Sequence, residues 1–381
     1  MATTLEDLRR SLDAIDQRLV TVLAERREVV SEVARLKADS PETAVRDSGR
    51  EQAIVDRARA LAKDSGLDPD HIERLFREML DHSVQLQREY LVSRGASRDV
   101  GRYSVGYQGG EGAFSHIAAR RHFEGRGEPM YVGHPSFSSM LEALRAGELR
   151  YVVLPIENSI AGSIHESFDL LAKMDLHLVG EEIQPVRHCL IALEPIPIAR
   201  IRRILSHPVA LAQCQRFLTG LENCHVESYV DTALAVEKVK VDQDPSQAAI
   251  ASEEAADLHG LPVVARDIAD AKENYTRMVI VARDPVLPDA RIAAKTSLLF
   301  SLAHEPGALA SVISTLATHR LNLTKIESRP VQGAPFEYSF YVDFEGNTGD
   351  PNVEAAITTL RSHTRELRIL GCYPIALRTA V

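Results

Sequence analysis

Hydrophobic residues near the start of the chain recur with the period of an α-helix. Leucine, isoleucine or valine occupies positions 5, 8, 12, 15, 19, 22, 29, 33 and 36, in steps of three and four with one gap. Such steps place the side chains on one face of a helix. The pattern predicts a helix over residues 5–38, and related patterns predict two more helices over residues 48–65 and 69–92.

The one gap in this series falls on Arg26. A helix over residues 5–38 would be about 50 Å long, whereas a lone domain of ~100 residues has a radius of gyration of about 13 Å. The length therefore predicts an intertwined helical dimer. Arg26 would be buried in it, and a buried cation without a partner is costly. It needs an anion, either a ligand or an acidic residue such as Glu25 or Glu28 of a neighbouring helix.

Other polar residues of the helical segment favour a ligand. Lys37 lies three helical turns beyond Arg26 at nearly the same azimuth, which suggests a bound polyanion. The start of the second helix and the third helix add five polar side chains: Asp47, Arg50, Glu51, Ser83 and Gln87. A structural role also stays open, because Ser48 and Glu51 fit an S-x-x-E capping box.

Residues 5–92 resemble the all-helical chorismate mutases. The resemblance rests on Arg9, on the LAERRE run that contains Arg26, on Lys37, and on the runs VRDxxRE (45–51) and DHSVQLQ (81–87). It implies that Arg26 binds one carboxylate of chorismate and that Arg9 of the partner subunit binds the second. A pericyclic rearrangement needs neither a nucleophile nor a cofactor, only a compact conformer and electrostatic stabilisation.

The resemblance also assigns roles to the remaining polar residues of the segment. It implies that Lys37 and Gln87 hydrogen-bond the ether oxygen, where negative charge develops as the C–O bond breaks. Four side chains would fix the hydroxyl side and the conformation of the substrate: Asp47, Arg50, Glu51 and Ser83. Of these four, Glu51 is also expected to be a catalytic group.

Short β-rich runs alternate with helical patterns from residue 102 to about 283, which predicts parallel α/β layers and room for two lobes with a cleft. Four stretches stand out: GYQGGEGAFSH (106–116), VLPIENSIAGSI (153–164), ILSHPVALAQC (204–214) and ENYTRMVIV (273–281). The first three follow predicted strands, where open α/β folds bind ligands. Taken singly, each also fits a plain structural role: a tight turn, a helix cap, a turn histidine or a strand threonine.

Together these stretches resemble prephenate dehydratases over residues 103–283. The resemblance implies a two-lobed fold like that of the periplasmic binding proteins. It also implies that Thr276 contacts the departing ring hydroxyl and that Arg277 serves anion binding or structure. Five further residues would line the cleft: Glu157, Asn158, Ser206, His207 and Gln213. The first turn departs from the family pattern, because Gly110 and Ala113 stand where proline and a hydroxyl residue are usual, and Ser115 or backbone N–H groups would have to substitute.

The pattern from residue 296 onwards predicts βαββαβ, the ferredoxin-like unit. Its GAL (307–309) and ESRP (327–330) motifs resemble those of the ACT domains attached to prephenate dehydratases. The resemblance implies an L-phenylalanine site between two such domains, formed by Gly307, Ala308, Leu309, Glu327, Ser328 and Arg329. A glycine at a helix N-terminus would let a carboxylate approach. The alternative is a domain that only dimerises.

Composition narrows the remaining classes. The net charge of −10 argues against a general nucleic-acid binder. No apolar run approaches the ~20 residues of a membrane span, and residues 1–10 lack a signal-peptide core. The four cysteines form no CxxC pair and indicate reduced thiols in the cytoplasm. The histidines lack metal-ligand spacing, so neither a metal nor a cofactor is expected.

These inferences combine into one hypothesis. The chain resembles the bifunctional chorismate mutase/prephenate dehydratases of phenylalanine biosynthesis, with a mutase domain over 1–93, a dehydratase domain over 102–284 and an ACT domain over 295–381. Expected partners are chorismate, prephenate, L-phenylalanine and at least one further copy of the chain. Two alternatives stay open: a dehydratase that prefers arogenate, and a non-catalytic effector-binding regulator whose helices only dimerise.

Overall fold

The computed structural model describes residues 4–40, 42–95, 101–331 and 336–376. The chain divides into two compact units. The first comprises Met1–Ser97 with Asp289–Ile292, and the second comprises Arg98–Pro288 with Ala293–Val381. The expected dehydratase and ACT segments therefore share the second unit.

Within its described residues, the first unit consists of three helices: α1 (Leu5–Ala38), α2 (Ser48–Asp64) and α3 (Pro69–Gly95). All three agree with the hydrophobic periodicity. Thr4 and Asp7 form a reciprocal capping box that starts α1. The predicted capping box at the start of α2 is wrong by one residue. Asp47, and not Ser48, is the N-cap, since its carboxylate accepts the backbone N–H of Arg50.

The apolar face of α1 is mostly uncovered within the single chain. Leu12, Leu19 and Val29 are 59%, 57% and 64% exposed, and Ala34 is the one buried residue of the helix. A small core forms elsewhere in the unit, from Val45, Val84, Leu91 and Ile292. The periodic stripe that dominates the sequence of α1 thus has no partner among the described residues of its own chain.

The first part of the second unit contains eleven strands and seven helices within the described residues. The strands are β1 (Arg102–Gln108), β2 (Glu128–His134), β3 (Tyr151–Asn158), β4 (Gly162–Ser163), β5 (His177–Pro185), β6 (Cys189–Ala192), β7 (Arg203–Ser206), β8 (His225–Ser228), β9 (Gln247–Ala251), β10 (Val263–Ala265) and β11 (Tyr275–Ala282). The helices are α4 (Phe114–Phe123), α5 (Phe137–Ala146), α6 (His165–Lys173), α7 (Pro208–Ala212), α8 (Gln215–Thr219), α9 (Thr232–Asp242) and α10 (Glu253–His259), with a 3₁₀ turn at Ile198–Arg200.

Two sheets give this part its two lobes. The first has the order β2-β1-β3-β11-β5, with β4 paired to β3, and the second has the order β10-β6-β9-β7-β8. The chain passes between the lobes twice, after β5 and before β11. The two lobes agree with the sequence, but the sheets are mixed rather than parallel. Because β11 returns from the second lobe, it pairs antiparallel with both β3 and β5.

The last part of the chain forms the expected βαββαβ unit. Its elements are β12 (Ala294–Ser301), α11 (Ala308–Thr318), β13 (Leu323–Pro330), β14 (Tyr338–Glu345), α12 (Pro351–His363) and β15 (Glu366–Pro374). The antiparallel sheet has the order β13-β14-β12-β15. Tyr341, Leu370 and Tyr373 of this sheet join the hydrophobic core of the first lobe. The sheet of the βαββαβ unit and the first lobe are therefore one packed body.

Two classes of feature were not found in the described ranges. No helix there is both long and apolar enough to cross a membrane. Nor do histidine, cysteine, aspartate and glutamate side chains of those ranges gather into a group that could hold a metal ion.

Candidate functional sites

Arg26 lies where α1 meets α3, and it bonds to neutral groups. Its Nη1 donates to the Ser83 hydroxyl at 2.6 Å and to the Met79 carbonyl at 3.4 Å. Neither Glu25 nor Glu28 forms an ion pair with it within the described residues. The charge of Arg26 is therefore not balanced by a carboxylate of its own helix, which leaves it able to bind an anion.

Lys37 and the start of α2 form the other end of this site. Lys37 Nζ donates to the Val45 carbonyl at 2.7 Å. Partial burial lowers the pKa of the Lys37 ammonium, and the nearby carboxylates of Asp47 and Glu51 oppose that shift. Arg50 is close enough to lower it further. The structure thus brings together four of the residues that the sequence singled out.

Gln87 adds an unsatisfied polar atom on α3. Its Nε2 donates to the Ser83 carbonyl at 3.1 Å, whereas its Oε1 is buried without a partner among the described residues. A buried polar atom of this kind needs a ligand or water to be satisfied. Arg9, by contrast, is exposed and precedes Arg26 by about 25 Å along α1. It lies too far away to contribute to the site of its own chain.

A cavity of about 220 Å³ separates the two lobes of the second unit. The first sheet contributes Asn158 and Thr276, which are cross-strand neighbours on β3 and β11. The second lobe contributes His207 and Gln213. His207 caps α7 by accepting the Val209 N–H at 3.3 Å, and burial lowers the pKa of its imidazole. These four predicted residues therefore face one cleft.

Asn158 holds Thr276 in a fixed arrangement. The Asn158 Nδ2 donates to Thr276 Oγ1 at 3.0 Å and to Asn274 Oδ1 at 2.8 Å. Gln213 joins the network, because its Nε2 donates to Asn158 Oδ1 at 3.4 Å and its Oε1 accepts from Asn274 Nδ2 at 3.0 Å. Since the Thr276 oxygen already accepts a hydrogen bond, its own hydrogen is free to be donated into the cleft.

The first glycine-rich turn borders the same cleft. Ala113 is the N-cap of α4 but offers no side-chain hydrogen bond, so the helix begins with free backbone N–H groups. Ser115, in the first turn of α4, lines the cavity. A Cβ on Gly110 would lie 2.9 Å from Leu234 Cδ2. The tight approach of α9 therefore explains the glycine, and α4 supplies the donors that the turn itself lacks.

Three residues that were predicted to line the cleft or bind the substrate have side chains bonded elsewhere. Glu157 pairs with Lys325 of β13 at 3.0 Å. The hydroxyl of Ser206 donates to the Ile250 carbonyl at 2.6 Å, because β7 and β9 are neighbours. Arg277 bonds to groups on the face of β11 away from the cleft. Of the two roles expected for Arg277, anion binding and structure, these contacts support the structural one.

The sequence reasoning missed two residues that line the cavity, Asp231 and His188, and one that bonds to lining residues, Asn274. Asp231 caps α9 by accepting the N–H groups of residues 233 and 234 at 2.9 and 3.0 Å. Asn274 precedes β11 and His188 follows β5, so each lies at a crossing between the lobes. Two of these residues had a signal in the sequence. Asn274 belongs to the ENYTR run, and Asp231-Thr232 is typical of the start of a helix. His188, in contrast, carries no motif around it.

The proposed effector residues fall into two groups. Gly307 has a φ of +88° and begins α11, where Ala308 and Leu309 line a cavity of about 160 Å³. Glu327 and Arg329 point to the dehydratase lobe instead. Glu327 accepts from the Ser163 hydroxyl at 2.6 Å. Arg329 forms two bonds to the Asp169 carboxylate, at 2.9 and 2.8 Å, whereas Ser328 is exposed.

Three family models match successive parts of the chain. They are chorismate mutase type II over residues 8–88, prephenate dehydratase over residues 105–286 and the ACT domain over residues 296–362. The bifunctional chorismate mutase/prephenate dehydratase of Escherichia coli is 35% identical over 371 residues, which cover 96% of this chain and 95% of that protein.

The chain belongs to the bifunctional chorismate mutase/prephenate dehydratase family.

Members and relatives of this family extend the comparison. The chloroplastic arogenate dehydratase/prephenate dehydratase 2 of Arabidopsis thaliana is 41% identical over 285 residues, covering 72% of this chain and 73% of that protein. The crystal structure of a prephenate dehydratase from Arthrobacter aurescens in complex with L-Phe is 30% identical with a TM-score of 0.66, and it covers 71% of this chain and 90% of that chain. The family assignment and the three-part fold thus agree with the sequence.

Proposed function

We propose that this protein converts chorismate to prephenate and prephenate to phenylpyruvate, with release of carbon dioxide and water. The observation that carries this proposal is the pair of sites on one chain: a helical site where Arg26 bonds only to neutral groups, and a cleft with a fixed threonine hydroxyl. The first is suited to a rearranging dicarboxylate, and the second is suited to a departing hydroxyl. Neither reaction needs a cofactor.

The helical site acts by binding and polarisation. Arg26 binds one carboxylate of chorismate, and Arg9 of the partner subunit binds the other. Lys37 and Gln87 donate to the ether oxygen as the C–O bond breaks, which stabilises the developing charge. Glu51, with Asp47, Arg50 and Ser83, holds the hydroxyl side of the ring. The unpaired Oε1 of Gln87 supports a ligand at this point, because a bound hydroxyl would satisfy it.

The cleft acts on prephenate through Thr276. Its hydroxyl donates to the ring hydroxyl, while Asn158 and Gln213 keep it in place. The N-terminus of α4 and His207 bind carboxylate oxygens. The free N–H groups of α4 favour an anion because the positive end of the helix dipole lies there. Glu157, Ser206 and Arg277 support the walls of the cleft without contacting the substrate.

Arogenate is the second candidate substrate of the cleft. The similarity to a plant arogenate/prephenate dehydratase supports arogenate as a candidate. Asp231 is a cleft carboxylate beside which the ammonium group of arogenate could bind. Assays with both substrates decide this point. A kcat/KM for prephenate at least tenfold above that for arogenate supports the main proposal, and the reverse ratio replaces it.

L-phenylalanine is the proposed effector. The Gly307 turn with its small cavity, and the L-Phe complex of the Arthrobacter aurescens enzyme, support this assignment. Glu327 and Arg329 would act at the junction with the dehydratase lobe, and Ser328 would lie on the opposite side of β13. Binding is measured by calorimetry with L-phenylalanine, and inhibition is measured on each reaction separately.

The working molecule is a homodimer or a larger homo-oligomer in the cytoplasm, with functional domains over residues 1–93, 102–284 and 295–381. The exposed apolar face of α1 supports self-association, since isolated patches of this size are rarely left uncovered. The four free cysteines support a reducing compartment.

The first experiment incubates purified protein with chorismate alone and follows prephenate and phenylpyruvate over time. Transient prephenate followed by phenylpyruvate supports both activities on one chain. Prephenate that accumulates without phenylpyruvate means that the cleft is not a working dehydratase. If neither product forms, the non-catalytic regulator becomes the better hypothesis.

A further inference from the structure

His188 is a buried residue of the cleft that none of the motifs includes. It lies at the first crossing between the lobes, is 2% exposed and lines the cavity. Its Nδ1 is buried and has no hydrogen-bond partner among the described residues. Buried polar side-chain atoms are nearly always satisfied, so the vacant nitrogen of this cavity-lining side chain points to a partner outside the protein.

The hydrogen-bond network fixes the orientation of the amides around His188. The backbone N–H groups of Ile160 and Ala161 donate to Asn158 Oδ1 at 3.0 and 2.8 Å. Nδ2 of Asn158 must therefore face Asn274 Oδ1. This in turn makes Asn274 Nδ2 the donor to Gln213 Oε1. Two backbone groups thus determine the direction of three side-chain amides.

The same network determines which nitrogen of His188 carries hydrogen. Its Nε2 lies 2.9 Å from Gln213 Oε1, and an amide oxygen only accepts, so Nε2 is the donor. Burial lowers the pKa of the imidazole, with the bond to Gln213 opposing the shift. The ring is therefore neutral in the free enzyme and presents the lone pair of Nδ1. Phe114 packs edge-on against the ring at 5.6 Å and holds its plane.

The dehydration consumes one proton. As the ring carboxylate leaves as carbon dioxide, the C–C electron pair enters the ring, and the hydroxyl departs with the C–O pair. It leaves as water only if it gains a proton. Thr276 is too weak an acid to supply that proton unaided. Among the described residues, the ionisable side chains that line the cavity are His188, His207 and Asp231.

Two of these three groups are committed to other roles. Asp231 accepts two backbone N–H groups at the start of α9, so its Oδ1 is committed to capping that helix. His207 caps α7 through Nδ1 and lies outside the amide network. His188 alone, among the three, is joined to Thr276 by continuous hydrogen bonds, through Gln213, Asn274 and Asn158.

We propose that His188 is the general acid of the dehydration. The two carboxylates of prephenate favour the imidazolium when the substrate enters, so Nδ1 takes up a proton in the complex. The Nδ1–H bond then breaks as an O–H bond forms on the departing hydroxyl, and the free imidazole later regains a proton from solvent. The bond from Nε2 to Gln213 persists throughout. This inference rests on the proposed dehydratase activity.

The test compares His188→Gln and His188→Asn with wild type in the full-length chain. Glutamine places an amide near the position of Nε2 and keeps the bond to Gln213, whereas asparagine places one near Nδ1. Neither can deliver a proton. Both are expected to lower kcat on prephenate by about 100-fold or more, in the range of general-acid catalysis, with KM changed by less than about threefold. His225→Asn on exposed β8 is the matched control.

The pH dependence separates an acid from a structural histidine. In wild type, kcat should fall as pH rises, because His188 in the complex loses its proton. This falling limb of the pH profile should be absent from both His188 variants. Gln213→Glu places a carboxylate against Nε2, which stabilises the imidazolium and moves the falling limb to higher pH. His207 is unchanged in every variant, so it cannot account for a limb that these substitutions remove or shift.

The outcomes are distinguishable. If wild type does not act on prephenate, the proposed function fails. If wild type is active and His188→Gln keeps its kcat within about threefold, or raises KM alone, the general-acid assignment fails while the function stands. If a His188 variant loses its fold by near-ultraviolet circular dichroism, an unshifted limb in Gln213→Glu overturns the assignment. Mutase activity in the same samples standardises the protein concentration.

Discussion

At the scale of single residues, the hydrogen bond that Thr276 accepts determines where its hydroxyl hydrogen points. Asn158 donates to its oxygen, and both side chains are nearly buried beside the cavity. The single hydrogen of the hydroxyl is then directed away from Asn158, towards the substrate. A hydroxyl that was free to rotate would lose part of this preorganisation.

Thr276→Val keeps the shape of the side chain and removes the hydroxyl. We expect kcat on prephenate to fall by about 100-fold, as for the loss of one preorganised donor. Thr276→Ser should retain most of the activity. Phenylpyruvate formation measures both variants. A valine variant with wild-type kcat would exclude Thr276 from the chemistry, and unchanged mutase activity would verify that the chain is intact.

Lys37 predicts a pH dependence for the mutase. Because burial lowers the pKa of its ammonium, Lys37 loses its proton at a lower pH than an exposed lysine. The kcat/KM for chorismate, which reports the free enzyme, should fall as pH rises through that lowered pKa. Lys37→Arg keeps its charge and should lose this limb, even if its activity is lower. An identical limb in both proteins would assign the titration elsewhere.

The positions of these residues were predictable from the sequence to different degrees. Asn158, Gln213 and Thr276 sit in recognisable motifs, and the structure brings them to one cleft. His188 was not predictable, because its importance comes from a lobe crossing and an amide network that join distant parts of the chain. The structure places Asp47 near Lys37, but the sequence assigned its capping role to Ser48, since both residue types cap helices equally well.

At the scale of elements, β11 joins the cleft to the last sheet. Thr276 faces the cleft, while the next residue, Arg277, bonds to Glu181 of β5 at 2.8 Å and to Asp343 of β14 at 2.6 Å. Lys295 of β12 completes the group by pairing with Glu181 at 2.8 Å. Two cations and two carboxylates balance inside the molecule, so the cost of burying each charge depends on the other three.

Asp343→Asn should therefore be strongly destabilising. It leaves Arg277 and Lys295 with one carboxylate, and breaking a buried pair costs about 3–5 kcal/mol. Urea unfolding of the second unit, followed by circular dichroism, measures the loss. Asp284→Asn, at an exposed position, is the control and should change the free energy of unfolding by less than about 0.5 kcal/mol. Equal stability of the two variants would refute the charge-balance argument.

Hydrophobic periodicity predicted which helices and strands the second unit forms better than it predicted how the strands pair. The βαββαβ order of the last part follows from its sequence, as does the alternation of strands and helices before it. The antiparallel insertion of β11 does not, because a buried strand has the same apolar run in either direction. Nor could sequence foresee that β13 bonds through Glu327 and Arg329 to the dehydratase lobe.

At the scale of the whole molecule, α1 is incomplete in a single chain. Its apolar face is exposed, and Arg9 lies too far from Arg26 to contribute to the same site. The uncovered face and the two separated arginines are explained together if a second copy packs along α1. Each mutase site would then combine Arg9 of one subunit with Arg26 and Lys37 of the other.

Subunit complementation tests this arrangement. Arg9→Ala and Lys37→Ala should each abolish most mutase activity alone. If the two chains are co-refolded in equal amounts, half of the dimers are mixed, and each mixed dimer contains one intact site and one doubly altered site. The mixture should recover about a quarter of wild-type mutase activity, as random pairing in a two-fold dimer requires. Dehydratase activity, which needs neither residue, should stay constant in every sample. If Arg9 acted within its own chain, no combination of the two chains would restore a site, and the mixture would stay as inactive as its parents.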